Sequence, residues 1–285
     1  MKADLHIHTY YSDGVYPPEK IVDLALDAGL EAIAITDHDN IMAYEVAQEY
    51  LKNKGQESQP LEIIKGVEIN TLYKGKEVHI LGYLMDTDDS DFKELLKTQQ
   101  AARVKQTKEI IHLLAKKESI RIKYEDITKQ VAEGGSIGRP HIAKAITAAG
   151  GTGSVIEAYA KYIHDESPVY VPRKTVSPHD AVEIIYDAGG VPVIAHPHDI
   201  DIAEELIKKL MTCGLRGIEA YHRKHSPACV EYFSSMAEEL GLIVTGGSDF
   251  HAPNMMNGQI IMGKNFIPDW IYDKLLKEKR LLDLA

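Results

Sequence analysis

The chain has 285 residues, a length that permits one large α/β domain or one domain plus an insertion. Its composition, 44% hydrophobic and 26% charged, is typical of a globular protein. Its net charge of −11 argues against binding of long duplex nucleic acid, which depends on lysine and arginine displacing counterions. A phosphorylated substrate would need local positive charge, and divalent cations held by some of the 13 histidines would supply it.

Three absences in the sequence predict a cytoplasmic protein with no membrane association. No apolar run approaches the roughly 18–20 residues needed to cross a bilayer. No apolar region follows Lys2, which argues against a secretory signal. Cys213 and Cys229 form neither a CxxC pair nor a disulfide framework, as expected in a reducing compartment.

Strand and helix patterns alternate in the first and last thirds of the chain. Pro17-Pro18 opens the first predicted helix and Gly29 ends it. The predicted strands cover residues 3–8, 32–36, 63–69, 78–83, 191–195, 217–220 and 242–245. The predicted helices cover residues 17–28, 41–51, 178–187, 203–211 and 227–240.

The stretch from 86 to 171 is long, charged and helical in pattern, and we interpret it as an insertion subdomain. The barrel domain would then comprise residues 1–85 and 172–285. About seven strands, most of them followed by a helix, predict an α/β fold with a closed or nearly closed (β/α) barrel. Strand counting alone also permits a doubly wound open sheet.

Histidines and a carboxylate follow the first predicted strand, and barrel active sites are built at strand ends. His6 and His8 in DLHIHT are two residues apart, so in an extended chain both point into one space and can grip one ion. The alternative is two unrelated core histidines. Asp13 in the following loop is, taken by itself, better explained as an ordinary turn aspartate.

Later strand ends repeat this chemistry. Asp37, His38 and Asp39 follow the second strand in TDHD, and Gly246-Gly247 would allow a close backbone approach near the last one. Glu68 lies among apolar neighbours, where an unpaired carboxylate would cost several kcal/mol, so a metal or a basic partner is expected. The remaining candidates are His79, which alone is equally well a core histidine, and His196, His198, Asp249 and His251.

The recurrence of these residues at almost every strand end predicts one shared metal site. Its ligands are nitrogen and oxygen only, which suits Zn²⁺, Mn²⁺ or Fe²⁺ better than Mg²⁺. The sequence does not rank the three metals.

The motifs DLHIHT with SDG, TDHD, GVEI, EVHILGY, AHP and GSDFH occur in the order found in the PHP (polymerase and histidinol phosphatase) family, which the chain resembles over most of its length. The resemblance implies a distorted (β/α)7 barrel and two to three divalent metal ions. It places one ion with His6, His8, Glu68 and Asp249, a second with Glu68, His79 and His196, and a third with Asp13, His38 and His251.

Many PHP proteins have histidine where Asp13 stands. The aspartate and the helical insertion resemble the branch that includes nucleoside 3',5'-bisphosphate phosphatases and 5'-to-3' exonucleases of short RNA. We therefore predict hydrolysis of a phosphate from a small nucleotide, foremost the 3'-phosphate of a nucleoside 3',5'-bisphosphate, and activity on very short RNA. A histidinol-phosphate-type phosphatase and a non-catalytic metal- or nucleotide-binding module remain alternatives, and the oligomeric state stays open.

The expected nucleophile is a metal-bound hydroxide, because bridging metals depress the pKa of water. The proton donor would be His251 or a metal-bound water. The mechanism requires no serine or cysteine nucleophile.

Arg139 in SIGRPHIAKA is the predicted phosphate-binding residue, just before a helix that Pro140 suits. The alternative is a surface arginine paired with insertion carboxylates. His222 is a weaker candidate for substrate contact. The remaining basic residues are predicted to be mainly solvated, with Arg173-Lys174 as a less favoured second phosphate contact; they are Arg223, His225, His112, His164, His179, Arg173 and Lys174.

Overall fold

A computed structural model describes residues 1–54, 61–164, 166–254, 257–264 and 267–284, and one seven-stranded sheet runs through them in chain order. Its strands are β1 (Ala3–Ile7), β2 (Ala32–Ile35), β3 (Glu62–Tyr73), β4 (Lys76–Tyr83), β5 (Val191–Ile194), β6 (Gly217–His222) and β7 (Ile243–Gly247). The strand ends differ from the predicted ones mostly by one to a few residues.

The hairpin between β3 and β4 distorts the barrel. The other neighbouring strands pair in parallel, except that β4 also runs antiparallel to β5. Lys74 and Gly75 join β3 to β4 with φ angles of 50° and 83°, the two positive values that a tight hairpin turn with matching twist requires. The chain therefore turns back at once, with no helix between these two strands.

The barrel nearly closes where β7 approaches β1. The backbone N–H of His8 donates to the carbonyl of Phe250 at 2.9 Å, and the N–H of Ser248 donates to the Asp4 carboxylate at 2.8 Å. A Cβ atom on Gly247 would lie 2.2 Å from Cβ of His6, so only glycine permits this approach. The predicted α/β class and distorted seven-stranded barrel are confirmed.

Helices cover the outside of the sheet and form the insertion. They are α1 (Pro18–Asp27), α2 (Met42–Asn53), α3 (Ser90–Lys117), α4 (Tyr124–Thr128), α5 (Arg139–Ala148), α6 (Val155–Ala158), α7 (Pro178–Asp187), α8 (Ala203–Met211), α9 (Pro227–Leu240) and α10 (Ile271–Leu282). The bounds of α7, α8 and α9 match the predicted ones. The side chains of Ser177 and Ser226 cap α7 and α9 by accepting from backbone N–H groups.

Helix α3 belongs to two hydrophobic clusters. Near its start, Phe92 and Leu95 pack with barrel residues, whereas Ile110 and Leu114 pack with the insertion helices. The insertion thus shares a continuous helix with the barrel, and the boundary at residues 86 and 171 stays a prediction. Within the described ranges, no helix is both long and apolar enough to span a membrane.

Candidate metal centre

The nine predicted ligand residues, which lie in the strands or in the segments that follow them, meet in one connected cluster. Four of their side-chain atoms face one another at its centre: Nε2 of His6, Nε2 of His8, Oε2 of Glu68 and Oδ1 of Asp249. Nε2 of His6 lies 3.1, 3.4 and 3.6 Å from the other three atoms in that order. Four ligands placed tetrahedrally around one zinc-type ion are about 3.4 Å apart, so this spacing fits a shared cation.

Glu68 connects this group to a second one. Its Oε1 lies 2.8 Å from Nδ1 of His79 and 3.1 Å from Nε2 of His196, while its Oε2 faces His6 and His8. The carboxylate is 1% exposed and its two oxygens point to different sets of imidazoles. This is the arrangement of a carboxylate that bridges two cations.

A third group forms around Asp13. Its Oδ1 lies 3.1 Å from Nε2 of His251, and its Oδ2 lies 3.8 Å from Nε2 of His38. Nδ1 of His38 is 2.9 Å from Oε2 of Glu68, so this imidazole stands between the second and third groups. The turn aspartate that looked ordinary in sequence therefore lies inside the histidine cluster.

The charges in the cluster shift the pKa values of its members. Burial would raise the pKa of Glu68, but the surrounding imidazoles, His38 first among them, hold it well below its usual range. Burial would lower the pKa of His251, but the Asp13 and Asp249 carboxylates raise it to about 9. Glu68 similarly overcomes burial at His79 and raises its pKa to about 9.

The cluster has polar atoms that protein groups do not satisfy. Oδ1 of Asp13, Nδ1 of His38 and Oε2 of Glu68 are buried, and although they lie 2.9 to 3.1 Å from other cluster atoms, none makes a well-directed hydrogen bond in the described part of the chain. Buried polar groups are normally paired, and metal ions would supply the missing partners. The nitrogen and oxygen donor set and its geometry therefore fit the divalent cations predicted from the sequence.

Buried carboxylates outside the nine residues hold the ligands in place. Oε1 of Glu219 lies 2.8 Å from Nδ1 of His6, and Oε2 accepts the backbone N–H of His196 at 2.8 Å. Such partners orient metal-bound imidazoles and leave the other ring nitrogen free for the metal. Sequence reasoning missed Glu219, although an acidic residue inside the apolar strand GIEAYH carries the same signal as Glu68.

Asp37, one of the two acids of TDHD, also has a supporting position. Asp37 accepts from the backbone N–H of Thr9 at 2.7 Å and from the Ser12 hydroxyl at 2.5 Å, which fixes the loop after β1.

The backbone is strained at two of the predicted ligands, because His196 and Asp249 have φ angles of 25° and 49°. Left-handed backbone in residues other than glycine costs free energy and concentrates at functional sites.

A cavity of about 150 Å³ adjoins the cluster and is shared by barrel and insertion. On the barrel side its lining includes Asp13, His38 and His79. Its lining also includes three arginines, Arg103, Arg139 and Arg173, which we call the arginine wall, and the Glu77 carboxylate. The site thus combines cation-binding groups with a cationic wall.

All three guanidinium nitrogens of Arg103 donate hydrogen bonds to protein groups. Its Nε donates to Oδ2 of Asp39 at 2.7 Å, its NH1 donates to the carbonyl of Ile137 at 2.9 Å, and its NH2 bonds to the Asn70 side chain. The side chain is 5% exposed. Sequence reasoning missed Arg103, which lies in the middle of a long charged helix with no local sign of burial.

Arg139 stands at the first position of α5, one residue later than predicted, because Gly138 is the N-cap. Its guanidinium pairs with Glu77 of β4, a barrel carboxylate. Nδ1 of His141 accepts the N–H of Gly138 at 2.9 Å and so fixes the start of this helix. The cavity-lining position of Arg139 is compatible with the predicted phosphate contact.

The expectation of an ordinary solvated pair is wrong for Arg173, although Lys174 is exposed. Arg173 lines the cavity, and its Nε is buried without a hydrogen-bond partner among the described residues. Burial, together with the like charge of Arg103, lowers the pKa of Arg173 to about 10. An anion in the cavity would relieve both effects.

The end of β6 and the loop after it also differ from the prediction. His222 is buried and faces Asp249, with Nε2 3.3 Å from Oδ2, so the predicted substrate contact is not supported by its position outside the cavity lining. Arg223 donates to the same carboxylate oxygen at 3.3 Å, and His225 is half-buried rather than solvated. His112 and His164 are exposed as predicted, while His179 is partly buried.

Comparison with known proteins agrees with this fold and site. The family model of the PHP domain matches residues 4–167. The 5'-3' exoribonuclease Rnm of Escherichia coli is 31% identical over 254 residues, which cover 88% of this chain and 85% of that protein. The 3',5'-nucleoside bisphosphate phosphatase of Chromobacterium violaceum is 29% identical, over 88% of this chain and 87% of that protein.

A solved structure extends the similarity to nearly the whole chain. A protein of Bifidobacterium adolescentis, assigned as a metal-dependent phosphoesterase, superposes with a TM-score of 0.85 and 32% identity, over 96% of this chain and 95% of that one. Fold, site and comparisons define a metal-dependent hydrolase of phosphoric esters. The chain belongs to the PHP family.

Proposed function

We propose that the nine clustered residues hold three divalent ions, chosen from Mn²⁺, Fe²⁺ and Zn²⁺, in the grouping that the family resemblance implies. The mutual distances within each group and the bridging position of Glu68 support this assignment. The unpartnered buried atoms of Asp13, His38 and Glu68 support it independently, because each needs a positive or donating partner.

The bound ions would lower the pKa of a coordinated water and neutralise charge on the phosphoryl group. The protein's own residues position these ions and the substrate. His251 has both ring nitrogens engaged, Nε2 near Asp13 and Nδ1 3.0 Å from the carbonyl of Asp249. With Nδ1 donating to that carbonyl, Nε2 faces the Asp13 group, which supports the ligand role of His251; its role as proton donor stays a prediction.

The proposed substrate is a small nucleotide with two phosphate groups, a nucleoside 3',5'-bisphosphate. The observation that carries this proposal is that the arginine wall lines the same cavity as the metal-binding residues. The scissile 3'-phosphate would lie among the metals, and the 5'-phosphate would bind Arg173 and Arg139. Planar guanidinium groups suit phosphate oxygens through paired hydrogen bonds.

The same geometry suits the 5' end of a very short RNA. A 5'-phosphorylated oligonucleotide and a nucleoside 3',5'-bisphosphate share the same first nucleotide, and in both the bond to be hydrolysed lies at its 3' phosphate. The names of the E. coli and C. violaceum relatives describe these two activities. The net charge of −11 disfavours longer duplexes at this site.

The test compares substrates that differ only in the 5'-phosphate. Manganese-loaded protein should hydrolyse adenosine 3',5'-bisphosphate with a kcat/KM at least about 100-fold above that of adenosine 3'-monophosphate, since charged hydrogen bonds contribute about 1.5–3 kcal/mol each. Faster turnover of histidinol phosphate would overturn the substrate assignment. Stoichiometric metal without turnover of any phosphoester would instead favour the non-catalytic binding module.

A matched pair of variants locates the second phosphate. Arg173→Ala should raise KM for the bisphosphate by about 10- to 100-fold and leave kinetics on the 3'-monophosphate unchanged. Lys174→Ala, its exposed neighbour, is the control and should behave as the unaltered protein. Equal effects of Arg173→Ala on both substrates would exclude a specific contact with the 5'-phosphate. Arg139→Ala should weaken phosphate binding with its metal content intact.

A further inference from the structure

Three histidines that the metal centre does not use form a second cluster. His198, His222 and His225 each offer a ring nitrogen, and the three nitrogens all lie within 4.8 Å of one another. The ring centroids of His198 and His225 are 4.9 Å apart, and those of His222 and His225 are 5.3 Å apart. Two segments supply them, the turn after β5 and the end of β6 with its following loop.

The hydrogen bonds of these rings leave nitrogens available inside the cluster. Nδ1 of His225 lies 2.7 Å from the carbonyl of Ala220, and Nδ1 of His198 lies 3.0 Å from the carbonyl of His196. Each Nδ1–H donates to its carbonyl, so in the neutral form of each ring the lone pair is on Nε2. This pairing of one imidazole nitrogen with a carbonyl is the usual support of a metal-bound histidine.

Burial makes the free nitrogens significant. Nε2 of His225 is buried and has no hydrogen-bond partner in the described residues. Nε2 of His222 is also buried and faces Asp249, while Nδ1 of His222 accepts the backbone N–H of Lys224 at 3.3 Å, a long contact that a cation at Nε2 would replace. Burial lowers the pKa of His225 to about 4, so this ring is neutral and able to bind a cation at neutral pH. The His222 side chain is 0% exposed, so bulk solvent does not reach its ring nitrogens.

Two carboxylates stand at the edge of the cluster. Oδ2 of Asp199 lies 3.1 Å from Nε2 of His198, and Oδ2 of Asp249 lies 3.3 Å from Nε2 of His222. Asp199 is 78% exposed and is therefore free to complete the coordination of an ion or to leave it. The inner ligands of the cluster are all imidazole, unlike the carboxylate-rich main centre.

We propose that His198, His222 and His225 bind an additional divalent cation of the zinc type, separate from the ions of the nine-residue centre. Three neutral imidazoles suit Zn²⁺ or Ni²⁺, whereas Mn²⁺ prefers carboxylate oxygens. His198 also lines a cavity of about 720 Å³ bounded by α8 and α9, which lies outside the substrate cavity. An ion can therefore reach this site from solvent without passing the substrate.

Counting bound metal tests the proposal without reference to activity. Metal-free protein is saturated with Zn²⁺ or with Mn²⁺, and bound metal per chain is measured by elemental analysis after gel filtration. His198→Gln and His225→Gln should each bind one Zn²⁺ fewer than the unaltered protein and the same number of Mn²⁺ ions. His112→Gln, which replaces an exposed histidine, is the control for general loss of imidazole.

Two outcomes would overturn the proposal. Equal Zn²⁺ content in the unaltered protein and both variants would mean that the cluster binds no ion. An equal loss of Mn²⁺ and Zn²⁺ would mean that the three histidines only support the main centre through Asp249. His198→Gln decides the matter if His225→Gln fails to fold, since His198 is only partly buried and His225 packs 5.7 Å from the Phe233 ring.

Discussion

The two sides of the substrate cavity are built in different ways. On the barrel side, the ligands follow strands and are fixed by buried carboxylates such as Glu219 and Asp37. On the arginine side, the residues come from a helix interior, a helix start and a loop, and Arg103 and Arg139 pair with the barrel carboxylates Asp39 and Glu77. With the function proposed above, the barrel would set the chemistry, and the contacts between barrel and insertion would set the substrate.

Removal of the bridging carboxylate should break the barrel side. Glu68→Gln removes the negative charge that faces both groups of imidazoles, so we expect phosphoesterase activity to fall by about 1,000-fold or more, with loss of bound metal. Kinetics and elemental analysis of the purified variant measure both effects. Glu62→Gln, at the exposed start of the same strand, should retain activity. Full activity in Glu68→Gln would contradict the bridging role.

Loss of Arg103 should break the contact between the two sides. Arg103→Leu leaves the Asp39 carboxylate buried without its counter-charge, which should lower the free energy of unfolding by about 3–5 kcal/mol. Urea unfolding of the metal-free protein gives this value, and the exposed Arg121→Leu serves as control. Adding Asp39→Asn to Arg103→Leu should restore part of the loss. A double variant no better than the single one would argue against the ion pair as the cause.

Glu219→Gln should separate the effect on metal affinity from the effect on substrate binding. The amide no longer strengthens His6 as a ligand, so we expect metal affinity to fall by about 10- to 100-fold. Competition with a chelating dye measures the affinity, and KM at saturating metal should stay unchanged. Glu239→Gln on the exposed surface of α9 is the control. A raised KM with normal metal affinity would place Glu219 in substrate binding instead.

Proton release on metal binding gives the smallest effect. The pKa values of His79 and His251 are raised to about 9, so metal binding at pH 7 should release these two protons together with that of His6, whose pKa is also raised, and fewer protons as the pH approaches 10. Calorimetry in buffers with different ionisation enthalpies counts them. In the metal-free protein, the stabilisation from these raised values is complete below the unfolded pKa near 6.5 and is lost as pH rises through about 9. Metal binding without proton release would contradict both shifts.

The metal side of the site was predictable because strand ends follow a simple rule. An apolar strand that ends in histidine or a carboxylate places that side chain at a known end of the barrel, which is how His6, Glu68 and Asp249 stand out. Asp13 needed the family resemblance, since an aspartate in SDG looks the same in any turn. The alternation of strand and helix likewise predicted the barrel, and only the hairpin at Lys74-Gly75 departs from it.

The arginine side was predicted only in part. Arg139 has a local signal, the proline that opens its helix, and the prediction placed it within one residue of its position in the structure. Arg103 and Arg173 have no such signal, because their burial depends on how the insertion packs against β3 and β4. Long-range packing of this kind leaves no periodic trace in a single sequence. The same reason hid the approach of His225 to His198.

The single helix α3 has a consequence for how this fold can be altered. Its first turns belong to the barrel core, its last turns to the core of the insertion, and Arg103 lies between them. Excision or exchange of the insertion as a cassette would therefore strip the barrel of part of its own interior. The two domains should therefore unfold in one cooperative transition. A change of substrate is then expected to arise from single substitutions along the boundary between them.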